Sequence, residues 1–110
     1  MSTNSERIAS LNDRFRTSFI GGDIVITPGI SALDDAQRIL VLGAVQSFSR
    51  FCEDNDPYGE RDFGSIDLPG LEKVFWKIDY YDPSLEFGSE DPANPLVTRR
   101  VLTIMLASEY

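Results

Sequence analysis

Between residues 73 and 81 the chain alternates, with Val74, Trp76, Ile78 and Tyr80 on one side and Phe75, Lys77, Asp79 and Tyr81 on the other. A period of two in aromatic and β-branched residues marks a strand lying on a core, and it fixes which face of the sheet is covered. Trp76 and Ile78 are therefore expected to face the covering helices, with Lys77 and Asp79 pointing away. A second strand is expected over residues 62–68, joined to the first through Pro69-Gly70, a pair suited to the middle of a tight turn. A third β-branched run at residues 23–27 is closed by Pro28-Gly29.

Around these strands the period changes to 3.6. Ser5 can cap a first helix whose apolar positions Ile8, Leu11, Phe15 and Phe19 recur every three or four residues, and Gly21-Gly22 stops it. Ser31 can open the longest helix, with Asp34 in the place of a capping-box acid and Asp35 near the positive end of the helix dipole. Leu33, Ala36, Leu40, Ala44, Phe48 and Phe51 form its stripe, widened by Ile39, Leu42 and Val45, so a central helix packed on more than one side is expected. A last helix is expected after Asn94, with Pro95 in its first turn and Val97, Val101, Leu102, Ile104, Met105 and Leu106 as its apolar residues. Arg99 and Arg100 fall near its start, where they would pair with the acidic loop before them. The expected architecture is α+β, a single domain over 1–110. A three-stranded, mostly antiparallel sheet packs against about three helices in the order α-β-α-β-β-α.

The charge is unevenly placed. Residues 53–91 hold twelve acids against three bases, a net of −9, whereas the 52 residues before them balance at five and five and the tail carries +1. A field of that sign repels phosphate backbones, so a basic protein partner is expected and direct nucleic-acid binding is not. No apolar stretch is long enough to cross a membrane, no membrane partner is expected, and the N-terminus lacks the pattern of a secretion signal. With one cysteine, Cys52, no internal disulfide can form, and a cytoplasmic location is expected. Cys52 itself is expected to be buried and structural.

The chain has no histidine, which removes Ser-His-Asp and Cys-His catalysis and histidine-ligated metals. Asp54, Asp56, Gly59 and Asp62 match four positions of an EF-hand loop, but Tyr58 and Ser65 stand where a short oxygen ligand and the bidentate glutamate are needed. A looser cation site in the acidic loops stays open. No catalytic residue is assigned and no cofactor is expected. The candidate binding residues are Asp54, Asp56, Tyr58, Glu60, Tyr81, Asp82, Glu86, Phe87, Glu90 and Asp91, acids of the two loops interleaved with aromatics that could anchor an interface.

Three strings are distinctive: Asn55-Asp56-Pro57-Tyr58-Gly59-Glu60-Arg61-Asp62-Phe63-Gly64, Phe75-Trp76-Lys77-Ile78-Asp79-Tyr80-Tyr81-Asp82-Pro83, and Phe87-Gly88-Ser89-Glu90-Asp91-Pro92. Through them the chain resembles the bacterial family known as domain of unknown function 3768, with the likeness running on to Tyr110 and weakly back to the first helix. Family members often carry histidine where this chain has Arg61. The resemblance implies no activity, cofactor or site; it implies a context, as cargo of mobile elements near anti-restriction genes. The function expected is therefore that of an acidic interaction protein of a mobile element, an anti-restriction or anti-CRISPR inhibitor that binds a basic protein surface. The alternative is a small metal-dependent enzyme or cation-binding protein that uses the acidic loops.

Overall fold

The computed structural model describes residues 3–110. Helix α1 (Asn4–Ser18) is capped by Thr3, whose hydroxyl accepts the Glu6 N–H at 3.1 Å, so the cap lies two residues before Ser5. It ends at Phe19, in the left-handed region at φ 59°, before the two glycines are reached. Strand β1 (Gly22–Ile26) follows.

The helix expected from Ser31 is broken in two. A single turn, α2 (Pro28–Ser31), precedes α3 (Asp35–Gln46), and Asp34 is the N-cap of α3 in a capping box with Gln37. The box is reciprocal: the Asp34 carboxylate accepts the Gln37 N–H at 2.7 Å, and the Gln37 amide oxygen accepts the Asp34 N–H at 3.3 Å. Arg38 closes the break by donating to the Ser31 and Leu33 carbonyls. Because α3 stops at Gln46, Phe48 and Phe51 reach the core from a loop, edge-on to the Trp76 ring at 5.5 and 6.1 Å. α3 also packs on one side only. Val41 and Val45 are fully buried while Ile39 is 69% exposed and Leu40 60%.

Strands β2 (Phe63–Ile66) and β3 (Val74–Tyr81) form the expected antiparallel hairpin, with Gly64 opposite Trp76. The last element is not a helix. Residues Arg99–Leu106 form strand β4, followed by a short 3-10 turn over Ala107–Glu109. β4 lies antiparallel to β3 and parallel to β1, so the sheet has four strands in the order β1-β4-β3-β2 and is mixed, not three-stranded. As an inner strand β4 is apolar on both sides: Leu102 and Ile104 go to the helix-covered face and Met105 to the other. The overlay of two alternating apolar sets imitates a helical stripe, and the β-branched content of the segment is what separates the two readings.

Trp76 and Ile78 face the helices as the alternation requires, at 0% and 3% exposure, in a core with Phe15, Ile30, Val41, Val45, Leu102 and Ile104. On the opposite face Lys77 pairs with Asp79 at 3.1 Å, and the rings of Phe63, Phe75 and Tyr110 stand 5.4–6.0 Å apart. Phe75 is thus held in an aromatic group. No helix among the described residues is long and apolar enough to cross a membrane.

Candidate functional site

The two acidic loops meet on one edge of β3. The Ile78 N–H donates to the Asp62 carbonyl, the last residue of the first loop, at 2.8 Å. Two residues further along the same edge the second loop folds back. The Ser89 N–H donates to the Tyr80 carbonyl at 3.1 Å, the Asp82 N–H to the Phe87 carbonyl at 2.8 Å, and Tyr81 forms a bridge with Gly88. Alternate residues of an antiparallel strand direct their backbone groups to one side, and in β3 the even-numbered ones face the β2 side, so Asp62 and Ser89 lie in line and about 7 Å apart.

Several of the acids build the loops that carry them. The Asp56 carboxylate accepts the Arg61 N–H at 3.0 Å, which holds Arg61 in the left-handed region at φ 55°. Asp82 accepts the Ser84 hydroxyl at 2.9 Å and the Glu86 and Phe87 N–H groups at 3.1 and 3.4 Å. Slight desolvation works against its charge, but those donors prevail and hold the carboxyl below its ordinary value. Asp91 accepts the Ala93 N–H at 3.2 Å. Glu60 accepts the Tyr80 hydroxyl at 2.9 Å.

Asp54, Glu86 and Glu90 are exposed and take part in no ion pair among the described residues, and Asp91 is exposed next to Glu90. The two loop aromatics project strongly, Tyr58 at 80% exposure and Phe87 at 70%. Tyr81 is half-buried by its bridge. Among the described residues no three acidic or cysteine side chains are grouped so as to hold a metal ion. Cys52 is exposed, not buried, because the helix expected to bury it has already ended. It lines a groove of about 580 Å3 between α1 and the first loop, together with Asp13, Glu53, Asp56 and Arg61.

Beneath the loops lies a buried polar network that the periodicities did not reveal. Asn12, fully buried, donates to the Glu60 carbonyl at 3.0 Å and to the Tyr80 hydroxyl at 2.8 Å, and its Oδ1 accepts the Arg100 Nε–H at 2.7 Å. Arg100 also donates to the Pro92 carbonyl and stacks over Tyr80, so it ties the second loop to β4, where a role on a helix had been expected. Arg99 bypasses the acidic loops and pairs with Asp23 on β1 at 2.7 Å. Burial pushes the Tyr80 phenol far up, with the Asn12 bond opposing and the nearby Asp62 and Glu60 charges adding. Arg16, 2% exposed, donates to the Val45 and Gln46 carbonyls at the end of α3 and to Asp13, which also binds Arg61 at 2.8 Å. The signal was present in α1: positions 8, 9, 12, 15 and 16 share a helical face, so Asn12 and Arg16 had to be polar groups inside an apolar stripe.

Fold and site together define an α+β domain whose mixed four-stranded sheet gathers two acidic loops at one strand edge over a buried arginine–asparagine–tyrosine network. The chain belongs to the family described as protein of unknown function (DUF3768), whose model matches residues 26–109. The match starts at the end of β1, so α1, with Asn12, Asp13 and Arg16, lies outside it. No curated protein and no solved structure matches the chain.

Proposed function

We propose that this protein is a non-enzymatic interaction module whose paired acidic loops engage a basic surface on a protein partner. The observation that carries the reading is the convergence of the loops on β3 with Asp54, Glu86 and Glu90 exposed and in no ion pair among the described residues, in the same loops as the projecting rings of Tyr58 and Phe87. Unpaired carboxylates supply long-range attraction and orientation, and exposed aromatics supply the short-range anchors that charge alone lacks. The loops are also shaped before binding, since Asp56, Asp82 and Asp91 fix their turns internally, which lowers the entropy lost on association. The mobile-element context implied by the family resemblance favours, as partner, the basic nucleic-acid-binding surface of a host defence complex.

Affinity capture from a bacterial lysate tests this with the native chain and a variant carrying D54N, E86Q, E90Q and D91N. A partner held by the native chain, lost between low and moderate salt and absent from the variant, is the expected result. A partner that the variant retains, one indifferent to salt, or none at all overturns the reading.

A further inference from the structure

The basic residues of this acidic chain are sorted in space. Six of the ten pair with acids: Arg16, Arg38, Arg61, Lys73, Lys77 and Arg99. Of the remaining four, Arg7, Arg14 and Arg100 border one run of hollows between α1 and the segment 93–98, and only Arg50 lies elsewhere. The hollow beside Arg7 measures about 280 Å3 and shares Leu11 and Pro95 with the next, of about 120 Å3, which Arg14 and Arg100 line. That inner hollow has Leu11, Phe15, Ile20 and Pro95 as apolar walls and no carboxylate on its lining.

Arg100 is the anomaly. It is 3% exposed, yet no carboxylate pairs with it: Nε goes to the neutral amide of Asn12, and Nη2 goes to a backbone carbonyl. A guanidinium stays charged in a protein, and burial works against that charge; the Glu60 carboxylate, reached through Tyr80, offsets it only from a distance, with no direct contact. Aspartate at position 12 would have supplied a counter-charge in direct contact; asparagine supplies a neutral acceptor instead. Among the described residues Nη1 makes no hydrogen bond, and it is not one of the sealed, unpartnered side-chain atoms found there, Arg16 Nε and Trp76 Nε1. It is therefore not sealed, and the residue to which it belongs lines the inner hollow.

We propose that this hollow is an oxyanion site, in which Arg100 Nη1 and the Arg14 guanidinium hold a carboxylate or phosphate group carried on a small ligand. Guanidinium groups present forked donors that match such oxygens, and burial of one of the pair strengthens the contact by excluding water. The apolar walls select within this chemistry. A carboxylate with an aliphatic body can lay that body on Leu11, Ile20 and Pro95, whereas inorganic phosphate gains nothing from them. The site adjoins the second acidic loop, whose Pro92 carbonyl Arg100 also holds, but it does not depend on the function proposed for the loops.

Titration of the 15N-labelled chain with hexanoate, with inorganic phosphate, and with chloride as a control tests the proposal by the shifts of the Arg100 Nε–H and the Thr98 N–H. Saturable shifts with hexanoate, weaker ones with phosphate and none with chloride at matched ionic strength are expected. Tighter binding of phosphate would still support an oxyanion site and assign it to phosphate. Arg100 supports Asn12 and Pro92 and is left in place; R14A, at an exposed helical position, should weaken binding by roughly tenfold, while R50A should not change it. Linear, non-saturating shifts with both anions, or equal weakening by R14A and R50A, would overturn the site.

Discussion

Gly64 faces Trp76 across the β2–β3 pair, and a methyl group there would stand 2.5 Å from the indole Cε2 and 2.8 Å from Cζ2, nearer still to Nε1. The indole cannot yield easily. It is fully buried, has Phe48 and Phe51 edge-on at 5.5 and 6.1 Å, and carries the Arg16 guanidinium at 5.2 Å from its ring. β2 is a four-residue edge strand and can give way in part. G64A should therefore cost about 2 kcal/mol, in the middle of the range for overpacked cores, after the smaller gain from stiffening the unfolded chain is subtracted. With an m-value of about 1.5 kcal/mol/M, the urea midpoint followed by Trp76 fluorescence should fall by about 1.3 M. Gly43 is the internal control: a Cβ there meets nothing within 4 Å, so G43A should gain about 0.5–1 kcal/mol from helix propensity alone. A midpoint for G64A that stays within about 0.3 M of the native one, or rises, would refute the close approach of β2 to the indole.

Asn12→Leu removes the acceptor for Arg100 and the donor to Tyr80 and Glu60, so it should destabilise by about 3–5 kcal/mol, measured by urea unfolding. An effect under about 1 kcal/mol would mean that water replaces the amide without loss. Asp62 is held above its ordinary value, first by burial and then by the charges of Glu60, Asp56 and Asp79, against the opposing bond from its own N–H. Between the unfolded and folded values the native state binds more protons, so stability falls as pH rises through that window and the penalty is complete above it. D62N should therefore stabilise the protein at pH 7 and lose that advantage below about pH 4; an equal effect at both pH values would assign the gain to something other than charge.

How far the sequence could be read depended on how many faces of an element are buried. β3 has one face in the core and one partly wet, so its alternation was clean and the side of Trp76 was legible. β4 is inner to the sheet and apolar on both faces; Val97, Val101, Ile104 and Met105 then fell at helical spacings although Val101, Thr103 and Ile104 favour a strand. The same ambiguity widened α3 on paper. Its outer residues Ile39 and Leu40 counted as core because hydropathy cannot tell a buried leucine from an exposed one. The convergence of the loops follows from the hairpin, since antiparallel pairing brings the entry to β2 beside the exit from β3. The network below was not, because its members sit 12, 60, 80 and 100 residues along the chain and are joined by hydrogen bonds that leave no local period. Within α1 alone, however, Asn12 and Arg16 interrupt the buried face at places where an apolar residue would have packed more simply. Polar residues on such a face must find partners from other elements, and those they found are the first acidic loop, the end of α3 and the last strand. The acidic loops are thus held from beneath by a neutral amide and a buried cation, which leaves Asp54, Glu86 and Glu90 free at the surface.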